Sequence, residues 1–336
     1  MENLLVNKLR VKLSRMNSGK PRVVFSACLG FERCRYNGEI IRDDFCEQLK
    51  HFVEPVPVCP EMAIGLGVPR EPIRIVYQNN SPRLIQPATG KDFSESMQRF
   101  ATDFLAQLDV VDGFVLKSRS PSCGTRDVKS YNEDGNLRPS IHRRGIFGGA
   151  TIERFPDKPV EDEGRLKNFL IRESFLTRLF SLYRFRLLRL APSMGNLVDF
   201  HTTHKLLLMA YDQVALHQLG RLVANPEHRP INELLTEYET TLSRALARPP
   251  KYTNAVNVLL HALGYFSRNL STAEKGFFLD TLESYRSGRL PLSAPVSIIR
   301  SWIVRFNQQY LARQWFFLPF PEGLRNISDS GKGRDR

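Results

Sequence analysis

Residues 22–30, RVVFSACLG, are a short β-branched and aromatic run that ends in small residues. That pattern predicts a buried strand handing over to a tight loop. Outward from it, DDFCEQLKHFV (43–53) sets Phe45, Leu49 and Phe52 at helical spacing. VEPVPVCPE (53–61) must be extended, because prolines at 55, 57 and 60 exclude a helix interior. IRIVYQ (73–78) reads as a third strand. DFSESMQRFATDFLAQLD (92–109) is a helix with Phe93, Met97, Phe100, Phe104 and Leu108 on one face, and GFVLKSRSPSCG (113–124) is a strand running into a Ser/Pro/Gly loop. This alternation predicts an α/β, Rossmann-like domain with a mainly parallel sheet over residues 22–155.

Beyond about residue 160 the period changes. Six stretches, 165–190, 197–224, 231–248, 253–268, 273–288 and 296–317, repeat their apolar residues every three to four positions. Ser271-Thr272-Ala273-Glu274 has capping-box spacing, and Gly288 follows SYRS as a stop. The expectation is an all-α domain over 165–324, joined by a Pro- and charge-rich linker, FPDKPVEDEG (155–164). Residues 1–21 read as a basic N-terminal extension without the apolar core of a signal peptide. Residues 325–336, RNISDSGKGRDR, read as a polar disordered tail.

Of the 336 residues 42% are hydrophobic and 25% charged, a globular balance, with no apolar run long enough for a membrane span. The five cysteines are too few, and the chain too long, for a secreted disulfide scaffold, so the expected location is cytoplasmic. The formal charge of +13 is spread over both halves rather than gathered in a tail. It favours anionic ligands in general and admits RNA without singling it out.

Three cysteines share one setting. Cys28 ends the first strand, Cys59 the second, and Cys123 lies in the loop after GFVLK. Ligands of open parallel sheets gather at the carboxyl ends of strands, so one edge would receive all three thiols. Gathered thiolates suit a soft metal centre, and the lack of any CxxC pair argues against a zinc ribbon or ferredoxin-type run. Ordinary buried cysteines are the competing explanation.

The motifs SACLG…CRYNG, VPVCPE…GL–VPR and LKSRSPSCG, in that order over residues 22–150, resemble the thiouracil desulfurase family. The helical half, with FHTTHKLLLMAY and EKGFFLDTLESYRSGRLPLSAPVSIIR, resembles the YbgA-type domain often fused to it. The resemblance implies a 4Fe–4S cluster held by Cys28, Cys59 and Cys123, with one iron open to the sulfur of a thiolated uracil base or nucleotide. It implies non-redox desulfuration with water as nucleophile and no reductase partner. Glu61 is the carboxylate placed to act as general base or acid, and Ser122, beside Cys123, is a second candidate catalytic residue, able to donate a hydrogen bond to a uracil carbonyl or to cluster sulfide. Ser26, Arg35, Lys117, Ser118 and Ser120 are candidate substrate contacts, and Arg70 and Arg119 further candidates for a substrate phosphate. Cys34 would be a structural thiol rather than a fourth ligand, and Cys46 a core residue. His201 and His204, one turn apart, read as a packing pair rather than metal ligands, and Tyr265-Phe266 and Trp315-Phe316-Phe317 as packing aromatics. The second-ranked reading is an RNA-binding protein with a structural iron–sulfur or zinc site closed by Cys34. The oligomeric state is not legible.

Overall fold

The computed structural model describes residues 19–79, 81–138 and 143–325. The expectations for residues 1–18 and 326–336 therefore lie outside the described residues. The described residues divide into two compact units: residues 20–175 with 324–325, and residues 176–323 with Gly19.

The first unit runs β1 (Arg22–Ser26), α1 (Asp44–Lys50), β2 (Glu54–Val58), α2 (Pro60–Ala63), β3 (Arg74–Gln78), β4 (Ser81–Gln86), β5 (Lys91–Asp92), α3 (Ser94–Ala106), β6 (Gly113–Leu116), β7 (Ser130–Asn132), β8 (Leu137–Arg138), α4 (Ile146–Arg154) and β9 (Val160–Asp162). Four of the strands form an all-parallel sheet in the order β2-β1-β6-β9. Val23, Val24, Phe25, Phe114, Val115 and Leu116 are wholly buried in its middle, as expected of a sheet covered on both faces. The chain moves from β1 to β2 on one side, and β6 lies on the other side of β1. The carboxyl ends of β1 and β6 therefore flank a topological switch point, where such sheets bind ligands.

Two sequence expectations are corrected here. IRIVYQ is a strand but not part of the parallel sheet: β3 pairs antiparallel with β4 and parallel with β7, in a second, mixed sheet of order β5-β4-β3-β7-β8. The reason is the adjacent turn, where Asn79 takes a left-handed φ of 47° and returns the chain at once onto β3. The stretch 155–164, read as a linker, contains β9, whose Val160 pairs with Phe114 and whose Asp162 pairs with Leu116. With only three residues, β9 is too short to show a period.

The remaining helices are α5 (Phe169–Leu190), α6 (Met194–Tyr211), α7 (Gln213–Ala224), α8 (Ile231–Ala245), α9 (Tyr252–Gly264), α10 (Thr272–Arg286), α11 (Ser293–Arg305) and α12 (Gln309–Ala312). The α/β and then all-α order agrees with the reading of the sequence. The stretch 197–224 breaks in two because extended Asp212 caps α7, accepting the Ala215 N–H on its carboxylate at 2.9 Å. The capping box at Ser271 and Glu274 is formed in full. Among the described residues, apolar cores of the helical unit gather around Leu208, Tyr238 and Leu242 and around Phe266, Phe278 and Trp302. Among the described residues, no helix is long and apolar enough to cross a membrane.

Candidate functional site

The site is built at the carboxyl edge of the parallel sheet. After β1 the ladder continues one residue further, with the Ala27 N–H donating to Val58 O at 2.8 Å, before the chain turns with Cys28 in the turn. After β2, Cys59 is still extended (φ −120°, ψ 101°) and Pro60 opens α2, since proline suits a first helical position. After β6, residues 117–124 form a tight loop. Ser120 Oγ accepts the N–H groups of Ser122 and Cys123 at 3.2 and 3.1 Å. The first turn of α4 closes over this loop: the Gly145 N–H donates to Gly124 O at 2.8 Å and the Gly148 N–H to Ser122 O at 3.0 Å. A side chain at position 148 would run into the carbonyls of Cys123 and Gly124, so only glycine allows this approach.

The thiols of the first two strand ends meet through Cys34. Cys59 Sγ lies 3.9 Å from Cys34 O, and the Cys34 thiol is close enough to those of Cys28 and Cys59 to feel both. The neighbouring Cys28 thiol, with burial adding, pushes the Cys34 thiol up to about 12. The neighbouring Cys34 thiol, with burial, also raises Cys59, and burial foremost, with Glu61 and Cys59 adding, raises Cys123 to about 12. Cys123 faces Ser26, Ser122 and, at longer range, Glu61 and Cys59. Thiols whose ionisation is opposed in this way, as at Cys34, Cys59 and Cys123, are what a soft metal centre would ionise on binding. Cys34 is thus more than a distant structural thiol: it joins the group at 3% exposure. Cys46 is fully buried in α1.

Glu61, in the first turn of α2, is the carboxylate of this edge. Its Oε1 accepts from Ser122 Oγ at 2.6 Å, and Ser122 Oγ is in turn 2.9 Å from Ser120 Oγ. Its Oε2 is held by Arg70 through Nε at 3.0 Å and through Nη2. Arg70 is therefore committed inside the protein. Lys117 and Ser118 are likewise engaged, by a residue the sequence reading missed. Glu163, just past β9, accepts from Lys117 Nζ at 2.5 Å, Ser118 N–H at 2.7 Å and Ser118 Oγ at 2.7 Å. Beside it, Asp162 accepts from Thr125 Oγ1 at 2.8 Å and from the Arg165 N–H at 2.9 Å. The only signal for these carboxylates was the acidic run VEDE, which reads equally as a solvated linker. Ser26 is 1% exposed, and its hydroxyl accepts the Lys117 N–H at 2.8 Å, tying β1 to β6 below the thiols. Arg35 pairs with Glu39 at 2.9 Å at the exposed rim, and Arg119 is exposed with a left-handed φ of 58°.

In the helical unit, His201 Nδ1 lies 3.0 Å from Tyr238 OH and His204 Nδ1 2.8 Å from Phe200 O. Burial pushes His201 down to about 4, so it is neutral at physiological pH. Both rings are used in packing. Tyr265 stacks on Tyr310, while Phe266 and Trp315 through Phe317 are buried.

Among the described residues, no three His, Cys, Asp or Glu side chains are grouped to hold a single metal ion. Sulfur donors delivered by three separate strand ends suit a polynuclear group, which spans more space than one ion.

Comparison with known proteins agrees with this architecture. The family model for 2-thiouracil desulfurase matches residues 23–163, and that for a protein of unknown function, DUF1722, matches residues 205–321. The uncharacterized protein YbgA of Escherichia coli K12 is 29% identical over 161 residues, 47% of this chain and 95% of its own. The uncharacterized protein YbbK of Bacillus subtilis 168 is 33% identical over 110 residues, 31% of this chain and 73% of its own. A solved 4Fe–4S-dependent thiouracil desulfidase, TudS, is 26% identical with a TM-score of 0.35, over 44% of this chain and 93% of that one. The match spans the strands that carry Cys28, Cys59 and Cys123 together with β9 and its carboxylates, and the chain belongs to the 2-thiouracil desulfurase family, with a YbgA-type helical domain following the desulfurase domain.

Proposed function

We propose that this edge removes sulfur from thiolated uracil compounds, consuming one water and yielding the uracil product and hydrogen sulfide. Cys28, Cys59 and Cys123 would hold a 4Fe–4S cluster, with one iron left without a protein ligand. When bound, the cluster would supply a Lewis acid for the thiocarbonyl sulfur. No electron acceptor is needed, because water replaces sulfide at carbon without a change in oxidation state. The desulfurase domain is taken as residues 22–155, extended by β9, and the helical domain as 165–324.

The chain's own residues supply the acid–base work. Glu61 Oε1 takes a proton from the attacking water, directly or through Ser122 Oγ, and returns one to the substrate. Ser120 carries that hydrogen-bond chain toward the rim, where it and Arg35 are the proposed contacts for the substrate. Ser26, Lys117 and Ser118 act on the substrate indirectly, since their polar atoms already fasten the ends of β1, β6 and β9 to one another.

The observation that carries this reading is the Ser120–Ser122–Glu61 chain, with links of 2.9 and 2.6 Å, running from the Cys123 loop to the residue two positions after Cys59. Glu61→Gln tests it: the variant should keep its iron and sulfide, assayed anaerobically, while sulfide release from thiouracil falls by about 10²–10⁴-fold. Normal turnover would place the base elsewhere, and loss of iron would make Glu61 structural.

A further inference from the structure

We infer that Arg70 is the positioning residue of this site, fixing the Glu61 carboxylate so that one oxygen alone is offered to Ser122. The inference rests on Glu61 acting as proposed above. A guanidinium has five N–H donors, and those of Arg70 make four hydrogen bonds to protein oxygens and one contact with a sulfur. Nε–H donates to Glu61 Oε2 at 3.0 Å. Nη2 donates to the same oxygen and to Cys34 O at 3.0 Å. Nη1 donates to Gly67 O at 2.7 Å and faces Met62 Sδ at 3.8 Å. The Arg70 side chain is 4% exposed, against 14% for Glu61. None of its donors is left for a substrate, so its influence on the reaction has to pass through Glu61.

The geometry of the pair is selective. Both nitrogens grip Oε2, and neither touches Oε1, which receives the Ser122 hydroxyl at 2.6 Å. A carboxylate on a two-carbon stem would otherwise rotate about its last bond and exchange its oxygens. The Arg70 fork, planar and rigid, removes that freedom where an ammonium could not. Arg70 is itself anchored by carbonyls of two separate loops, at Cys34 and Gly67, so the carboxylate is referenced to the Cys34 loop as well as to α2.

The test compares Arg70→Gln, Arg70→Lys, Glu61→Gln and the Arg70→Gln/Glu61→Gln double variant, each scored for iron and sulfide content, visible absorption and sulfide-release kinetics. Arg70→Gln should retain full iron content, keep KM for thiouracil within about two-fold, and lose about 10–100-fold in kcat, the scale set by ångström-level misplacement of a reacting group. Arg70→Lys, with charge but no fork, should recover only a few-fold of that loss. In the Glu61→Gln background the Arg70 change should cost less than about two-fold, because the group it positions is already gone. Near-normal kcat in Arg70→Gln, or losses that multiply in the double variant, would overturn the inference. So would loss of iron in both Arg70 variants, which would assign Arg70 to the Cys34 loop instead; if only Arg70→Gln loses iron, the Arg70→Lys kinetics decide. A collapsed Glu61→Gln beside a normal Arg70→Gln sinks the positioning role alone, whereas a fully active Glu61→Gln removes the acid–base reading and this inference with it.

Discussion

Glu163→Gln isolates the carboxylate that fastens β9 to the Cys123 loop. Its side chain is 8% exposed, and that of its partner Lys117 is 23% exposed. Glutamine has one acceptor oxygen where glutamate has two. If that oxygen keeps the Ser118 N–H, an amide NH2 is turned toward Lys117 Nζ and Ser118 Oγ, where glutamate accepted at 2.5 and 2.7 Å. Removing one member of a buried ion pair costs about 3–5 kcal/mol. Lys117 keeps some access to water, so about 2–3 kcal/mol is the expected loss. With a urea slope of about 1–3 kcal/mol/M, the midpoint should fall by roughly 1 M. The sequence provides a clean probe, because all five cysteines lie at or before position 123, whereas both tryptophans, Trp302 and Trp315, lie in the helical half. Pulsed thiol labelling of metal-free protein in urea therefore reports the 20–175 unit, and tryptophan fluorescence reports the other. A double variant, Lys117→Met with Glu163→Leu, should recover most of the loss, since it leaves no charge stranded. A thiol-labelling midpoint that moves by less than about 0.3 M in Glu163→Gln, or a double variant worse than the single, would refute the reasoning.

Other expectations follow from the same structure. Alanine at Cys28, Cys59 or Cys123 should remove iron and the visible absorption, whereas Cys46→Ala should keep both; full iron in Cys123→Ala would refute the ligand assignment. Burial pushes the half-buried Glu173 carboxyl up to about 7 from its ordinary 4.5. The folded state thus prefers the protonated form, so the contribution is present below about pH 4.5 and is lost as pH rises through 7. Glu173→Gln should accordingly gain about 1–3 kcal/mol over the parent at pH 8 and nothing at pH 4, read by thiol-labelling midpoints; an equal change at both pH values would exclude the mechanism.

Local sequence is enough to place the strands that end near Cys28 and Cys59, the strand that leads into the Cys123 loop, and the helical second half. Each of these is written locally: β-branched runs, prolines that forbid helix, glycines and serines that end a strand, and a repeat of three to four residues. A strand's carboxyl end is fixed by its direction, so three thiols at three such ends were already on one edge once the sheet was parallel. Pairings over long separations come from the folded chain alone. Whether IRIVYQ joined the parallel sheet depended on a competing hairpin, and VED became a strand only because Phe114, Val115 and Leu116 offered it an edge. Glu163 meets Ser118 across 45 positions and Ser122 meets Glu61 across 61. Cys34 and Arg70 found their roles in the same way, across 36 positions, through a single carbonyl. A lone carboxylate or thiol in a loop has no period to betray its partner; burial selects the partner, because an unpaired charge or donor inside the fold is the costlier alternative.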